Sequence, residues 1–312
     1  MEPVARYRGA LLGLAVGDAL GMPVQSTRGT VEPPLTDMVG GSRLNLPAGC
    51  WTDDTSLALC LAESLIACRG FDPVDQLTRY CRWMFEGHNS STGFCFDLGA
   101  TTHDALQRFH ATRNPYPGLT APDTAGNGSL MRLAPVPLFF AGNPGEAIRR
   151  AADSSRTTHA TAEAVDACRY FAGLLVGALQ ARPKAELLSP MFCPVPGLWD
   201  AEPLTPTIAQ VASGSFIRKD PPGIRGLGHV VRCLEAALWA FHRTDSFREA
   251  VLRAVNLGDD ADTTGAVCGQ IAGAYYGEQA IPDPWRATLA KRETIEAYAT
   301  RLWDLASQHR AT

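Results

Sequence analysis

The stretch NLGDDADTTGAVCGQIAGAYYG, residues 256–277, decides how this chain folds. Asp259, Asp260 and Asp262, followed by Thr263 and Thr264, open a segment of small residues: Gly265, Ala266, Gly269, Ala272 and Gly273. Small residues at helical spacing let one buried helix lie close against another. Carboxylates this close repel one another unless a cation lies among them, and one alone would suffice as a helix cap. Working outward, residues 9–21 (GALLGLAVGDALG) have apolar residues all around a helix, broken only by small ones and Asp18. Residues 53–67 (DDTSLALCLAESLIA) read as a helix with an acidic first turn, as a helix N-terminus prefers. Pro73 opens another at a favoured first position.

The same period predicts helices over 99–109, 129–140, 145–154, 160–180, 229–242, 246–254, 262–276 and 292–308. Val and Ile follow helical spacing and not alternation, so strands are not expected. The expectation is an all-α fold, with residues 1–312 forming one domain of many helices around a single core. The Pro-rich segment 182–206 reads as a long surface loop, and 220–228 as a second break.

The chain has 312 residues, 46% of them hydrophobic, enough for a sizeable core, and a net charge of −4 with no basic cluster of the kind a nucleic-acid surface needs. Nine cysteines without a CxxC pair read as thiols in a reducing compartment, with Cys60, Cys68, Cys168, Cys233 and Cys268 inside apolar helical patterns. The N-terminal apolar run is short, Gly-rich and interrupted by Asp18, which fits neither an export signal nor a membrane span. A cytoplasmic monomer is the expectation.

A second acidic cluster stands at Thr52, Asp53, Asp54 and Thr55. By itself it reads equally as an N-cap with dipole-stabilising acids. Together with the cluster at 259–264 it supplies hard oxygen donors suited to Mg²⁺, Mn²⁺ or Ca²⁺ and not to zinc. They are more than one hydrated Mg²⁺ requires, and they suit a pair of ions about 3.5–4 Å apart. Separation in sequence leaves open whether the two clusters meet.

Seven stretches, in order, resemble the ADP-ribosylglycohydrolase family, whose members include hydrolases of ADP-ribosyl-arginine and of ADP-ribosylated dinitrogenase reductase. They are residues 9–21, 51–59 (WTDDTSLAL), 93–102 (GFCFDLGATT), 126–136 (GNGSLMRLAPV), 155–161 (SRTTHAT), 227–241 (LGHVVRCLEAALWAF) and 256–277. The resemblance implies an all-α bundle around a cleft with two Mg²⁺ or Mn²⁺ ions held by Thr52, Asp53, Asp54, Asp260, Asp262 and Thr263. It puts Asp259 outside that set and Asp18 beside it. It implies catalytic roles for Asp97, facing the scissile bond, and Asp260. Asn127, Gly128, Ser129, Met131 and His159 match residues that line the ADP-ribose cleft. Without the resemblance, Asp97 could be a helix cap, Asn127-Gly128 an ordinary turn, and His159 a structural residue.

The implied reaction is hydrolysis of the bond joining ADP-ribose to an acceptor, with arginine on an ADP-ribosylated protein or a small conjugate as first choice. Serine or acetyl-ester conjugates, and a binding-only relative, are the alternatives. The carboxylates alone would also permit a two-metal phosphoesterase. One departure stands out: many relatives carry a Glu shortly after GDALG, where this chain has Gln25. Glutamine cannot accept a proton as a base. The acid–base role therefore shifts to Asp97.

Overall fold

The computed structural model describes residues 1–308. Its helices are α1 (Pro3–Gly21), α2 (Asp53–Cys68), α3 (Pro73–Glu86), α4 (Ala100–Thr112), α5 (Pro135–Phe139), α6 (Pro144–Arg156), α7 (Ala162–Leu179), α8 (Lys184–Leu187), α9 (Leu198–Ala201), α10 (Pro206–Ala212), α11 (Val230–His242), α12 (Phe247–Val255), α13 (Ala261–Tyr276), α14 (Asp283–Thr288) and α15 (Arg292–Gln308). Among the described residues, β-pairing is limited to isolated bridges, such as Gly126 with His229, and no helix is long and apolar enough to cross a membrane. The all-α expectation holds.

The centre of the fold is the antiparallel pair α1 and α13. Residues 9–21 of α1 and 261–274 of α13 are buried without exception. A Cβ at Gly9, Gly13 or Gly17 would collide with the carbonyl oxygen of Gly273, Gly269 or Gly265 respectively. The reverse also holds, since a Cβ at those three glycines would strike the α1 backbone. Only glycine permits this approach on both sides, so the two backbones lock in one register. The seam ends at Gly21, where a Cβ would strike the backbone of Asp262. Packing thus brings one acidic cluster to the end of α1.

Three expectations need correction. The helix expected over 129–140 shrinks to α5, because Asn127–Leu133 winds through turns in which Leu130 and Met131 both donate to the Asn127 carbonyl. Pro135 and Pro137 explain the late start: proline lacks an amide donor and disfavours helical geometry just before it. Gln270 of α13 anchors this non-helical stretch, donating to the Met131 carbonyl at 2.7 Å and accepting from the Ala134 amide at 2.8 Å. The segment 182–206 is not a bare surface loop either. It carries α8 and α9, and its Leu187, Phe192 and Trp199 are buried, the first two against Gly177 of α7. Of the five cysteines expected inside the core, Cys68 is exposed, standing at the last position of α2.

Candidate functional site

The acidic clusters meet. Thr263 of α13 donates its hydroxyl to Asp54 Oδ1 of α2 at 3.3 Å, across 209 positions of sequence. Beneath them lies Asp18, fully buried on α1. Its Oδ1 accepts from the Thr52 amide (2.9 Å) and hydroxyl (3.0 Å), and its Oδ2 from the Thr55 amide (3.0 Å) and hydroxyl (2.6 Å). Four donors on one carboxylate fix the start of α2 to the end of α1. Burial nonetheless pushes the Asp18 carboxyl up to about 6.

The capping explanation fails at both clusters. Thr52 and Asp260 occupy the N-cap positions of α2 and α13, yet neither side chain caps its helix. Thr52 turns to Asp18, and Asp260 Oδ2 accepts from Asn127 Nδ2 at 2.6 Å. Nor is Asp97 a cap: Gly99 occupies that position for α4. Asp97 instead sits exposed at φ 60°, a left-handed conformation that costs an L-residue energy. Asp259 faces away, paired with Arg225 at 2.9 Å.

A cleft of about 280 Å³ opens above this floor, lined by Gln25, Asp53, Asp97, Asn127, Gly128, Met131, His159, Asp260, Asp262 and Thr263. Asp53, Asp54 and Asp262 are buried, and burial, reinforced by the neighbouring carboxylates, holds each well above the usual carboxylate range. Asp260, partly open to the cleft, is raised by the same two causes and eased by Asn127. The charges acting on this group are other carboxylates, and Asp54 Oδ2 is buried without any hydrogen-bond partner. Buried anions without a counter-charge are unstable, so these residues fit a site for cations. Among the described residues no three Asp, Glu, His or Cys side chains already converge as a closed cage. The donors are split between two helix starts, with Thr52 and Thr263 among them.

The cleft wall at 126–131 is held from behind. The Asn127 amide donates to the Gly228 carbonyl at 3.0 Å, so it is not free for a ligand. Asn127 thus orients a carboxylate as well as lining the wall. A Cβ at Gly128 would collide with the His159 ring, so glycine is required there. The Ser129 hydroxyl pairs with that of Ser155 at 2.8 Å, behind the cleft lining. His159 is buried, with Nδ1 at 2.8 Å from the Thr158 hydroxyl, and burial lowers its pKa to about 3. It is therefore a neutral wall and hydrogen-bonding group at ordinary pH.

Arg132, unflagged in the sequence reading, underlies this wall. It is fully buried, donates to the Gly128 carbonyl (3.1 Å) and the Thr158 hydroxyl (2.7 Å), and lies 4.6 Å from the Tyr80 ring centroid. Its neighbours are neutral, and its Nε has no partner. Thr102 and Gly228 also line the cleft and were likewise missed. Both lie inside matching stretches, 93–102 and 227–241, but only the fold brings those loops to one cleft.

An all-α protein with a cleft floored by acids from two helix starts and walled by a glycine-rich loop defines a narrow class. The sequence model of the ADP-ribosylglycohydrolase family matches residues 1–312, and the chain belongs to that family. It is 37% identical over 308 residues to the ADP-ribosylarginine hydrolase Tri1 of Serratia proteamaculans (strain 568), covering 98% of this chain and 81% of that protein. To the ADP-ribosyl-[dinitrogen reductase] glycohydrolase of Rhodospirillum rubrum it is 30% identical over 291 residues, 91% of this chain and 90% of the other. A solved structure titled "ADP-ribosylglycohydrolase-related protein complex" superposes with a TM-score of 0.86 at 44% identity, covering 98% of this chain and 99% of that one.

Proposed function

We propose that this chain hydrolyses the glycosidic bond between ADP-ribose and an acceptor, with ADP-ribosyl-arginine on protein as the preferred substrate. The observation that carries the reading is the meeting of the two acidic clusters on the floor of one cleft, through Thr263 and Asp54. Similarity to the arginine-acting relatives supports the choice of acceptor.

Thr52, Asp53, Asp54, Asp260, Asp262 and Thr263 would hold two Mg²⁺ or Mn²⁺ ions. Such ions supply Lewis acidity and a cationic seat for hydroxyl groups when bound. The remaining roles belong to the chain itself. Asp18 holds Thr52 and Thr55 in place, and Asn127 holds Asp260. Exposed Asp97 stands at the cleft mouth, free to orient the acceptor and take or give a proton as the bond breaks. Glycosidic cleavage passes through an oxocarbenium-like transition state, and fixed carboxylates favour the positive charge that develops on the sugar. Gln25, beside Asp97, is limited to hydrogen bonding.

The direct test is release of free ADP-ribose from ADP-ribosyl-arginine with Mg²⁺, repeated after chelation. Release that stops on chelation supports both the reaction and the ions. Release that survives chelation removes the ions from the scheme. Binding of ADP-ribose without turnover of arginine, serine or acetyl-ester conjugates would return the chain to a binding role.

A further inference from the structure

A second cavity, of about 350 Å³, adjoins the first and shares Gln25 and Asp97 with it. One wall is a tight turn closed by reciprocal bonds between Gly41 and Leu46, at 2.9 and 2.8 Å, which presents Ser42, Arg43 and Leu44. The facing wall is Phe96, whose ring stands 5.9 Å from that of Phe94. Leu44, in the lining, is 49% exposed, and Phe94, which stands against the lining residue Phe96, is 50% exposed. Exposed apolar groups beside a polar cleft mark a surface that meets a partner.

Given the proposed reaction, on which this step rests, we infer that the second cavity seats the polypeptide flanking the modified side chain. Asp97 and Gln25 form the boundary between the two cavities. A bond broken there has its sugar over the acidic floor, its acceptor side chain at Gln25 and Asp97, and the polypeptide beyond that side chain against Leu44 and Phe96. The chemistry of the walls selects the occupant. Leucine, phenylalanine and a single cation, Arg43, suit aliphatic and amide groups of a peptide. A phosphodiester chain would need several cations, and this one lies on a protein of net charge −4. The acceptor is thus read as protein, through contacts beyond the modified residue itself.

The test compares two substrates across wild type, Leu44→Ser, Phe94→Ser and the double variant. One substrate is free ADP-ribosyl-arginine. The other is a peptide of about ten residues carrying the same ADP-ribosyl-arginine, a length that overhangs the turn at either side. The double variant is expected to lose about tenfold in kcat/KM on the peptide, chiefly through KM, with the free conjugate within about twofold of wild type. Equal losses on both substrates, or none on the peptide, would overturn the inference while leaving the reaction standing. Wild-type preference for an ADP-ribosylated oligonucleotide, lost in the double variant, would overturn it in favour of nucleic acid. Wild-type failure to release ADP-ribose from either substrate would sink the reaction itself.

Discussion

The acid floor and the loop walls of the cleft are built on opposite terms. The floor stands on α1, α2 and α13, where residues 9–21, 53–62 and 261–274 are wholly buried and glycine meets backbone along a whole seam. The walls come from turns and loops: residues 41–46, the exposed strained Asp97, and the 126–131 loop pinned by Asn127, Gln270 and Arg132. Carboxylates that must stay close against their own repulsion need a rigid frame, whereas surfaces that choose a partner need room to vary.

Breaking the floor should have the largest effect. Asp260→Ala is expected to reduce kcat/KM at least about 10³-fold, near 4 kcal/mol, with the fold retained by circular dichroism. Near-normal turnover in that variant would remove Asp260 from the chemistry. Filling the seam should act on stability instead. Gly269→Val drives side-chain atoms into the Gly13 carbonyl and should cost about 3 kcal/mol or more, read as a lower denaturation midpoint. A variant as stable as wild type would mean that the seam can open.

The walls should respond more gently. Asp97→Ala is expected to slow turnover about 10²-fold while cation binding, followed by calorimetry, persists. Loss of cation binding would place Asp97 on the floor. The smallest effect concerns His159, whose folded pKa of about 3 lies below its ordinary value of 6.5. Below pH 6.5 the unfolded chain takes up a proton that the folded chain refuses, so stability falls as pH falls. Between pH 7 and pH 5 the loss from this group is about 2 kcal/mol. His159→Gln should flatten the acid limb of the stability profile by that amount relative to wild type. Parallel profiles would show that the imidazole is protonated in the folded state.

The floor was far more legible in sequence than the walls. α1, α2 and α13 announce themselves because a helix buried on all sides must be apolar or small throughout, and the acids interrupt that pattern. The limits of α15 agree with the expected 292–308. Residues 129–140 misled because Leu130, Met131, Leu133 and Val136 have helical spacing, while Pro135 and Pro137 delay the helix. Thr52 looked like a cap, and only Asp18, 34 positions away, reveals what its hydroxyl does. Arg132 could not be read at all, since a buried arginine stacked on Tyr80 has no periodic signature. The second cavity was equally silent: Ser42, Arg43 and Leu44 are ordinary turn residues until Phe96 stands opposite them.

The glycine seam also works as an index. Gly9, Gly13 and Gly17 recur every four residues, and so do Gly265, Gly269 and Gly273. Sliding one helix past the other by less than a turn would force a Leu, Val or Ala side chain into facing backbone, so intermediate positions are closed. A slip of a full turn would move Asp262 about 6 Å along the helix axis, at 1.5 Å per residue, away from Asp54 and Asp18. The geometry of the acids is therefore stepped and not graded. Chain-length changes in the connecting loops leave it untouched, while a single inserted residue within either helix would put the floor out of alignment.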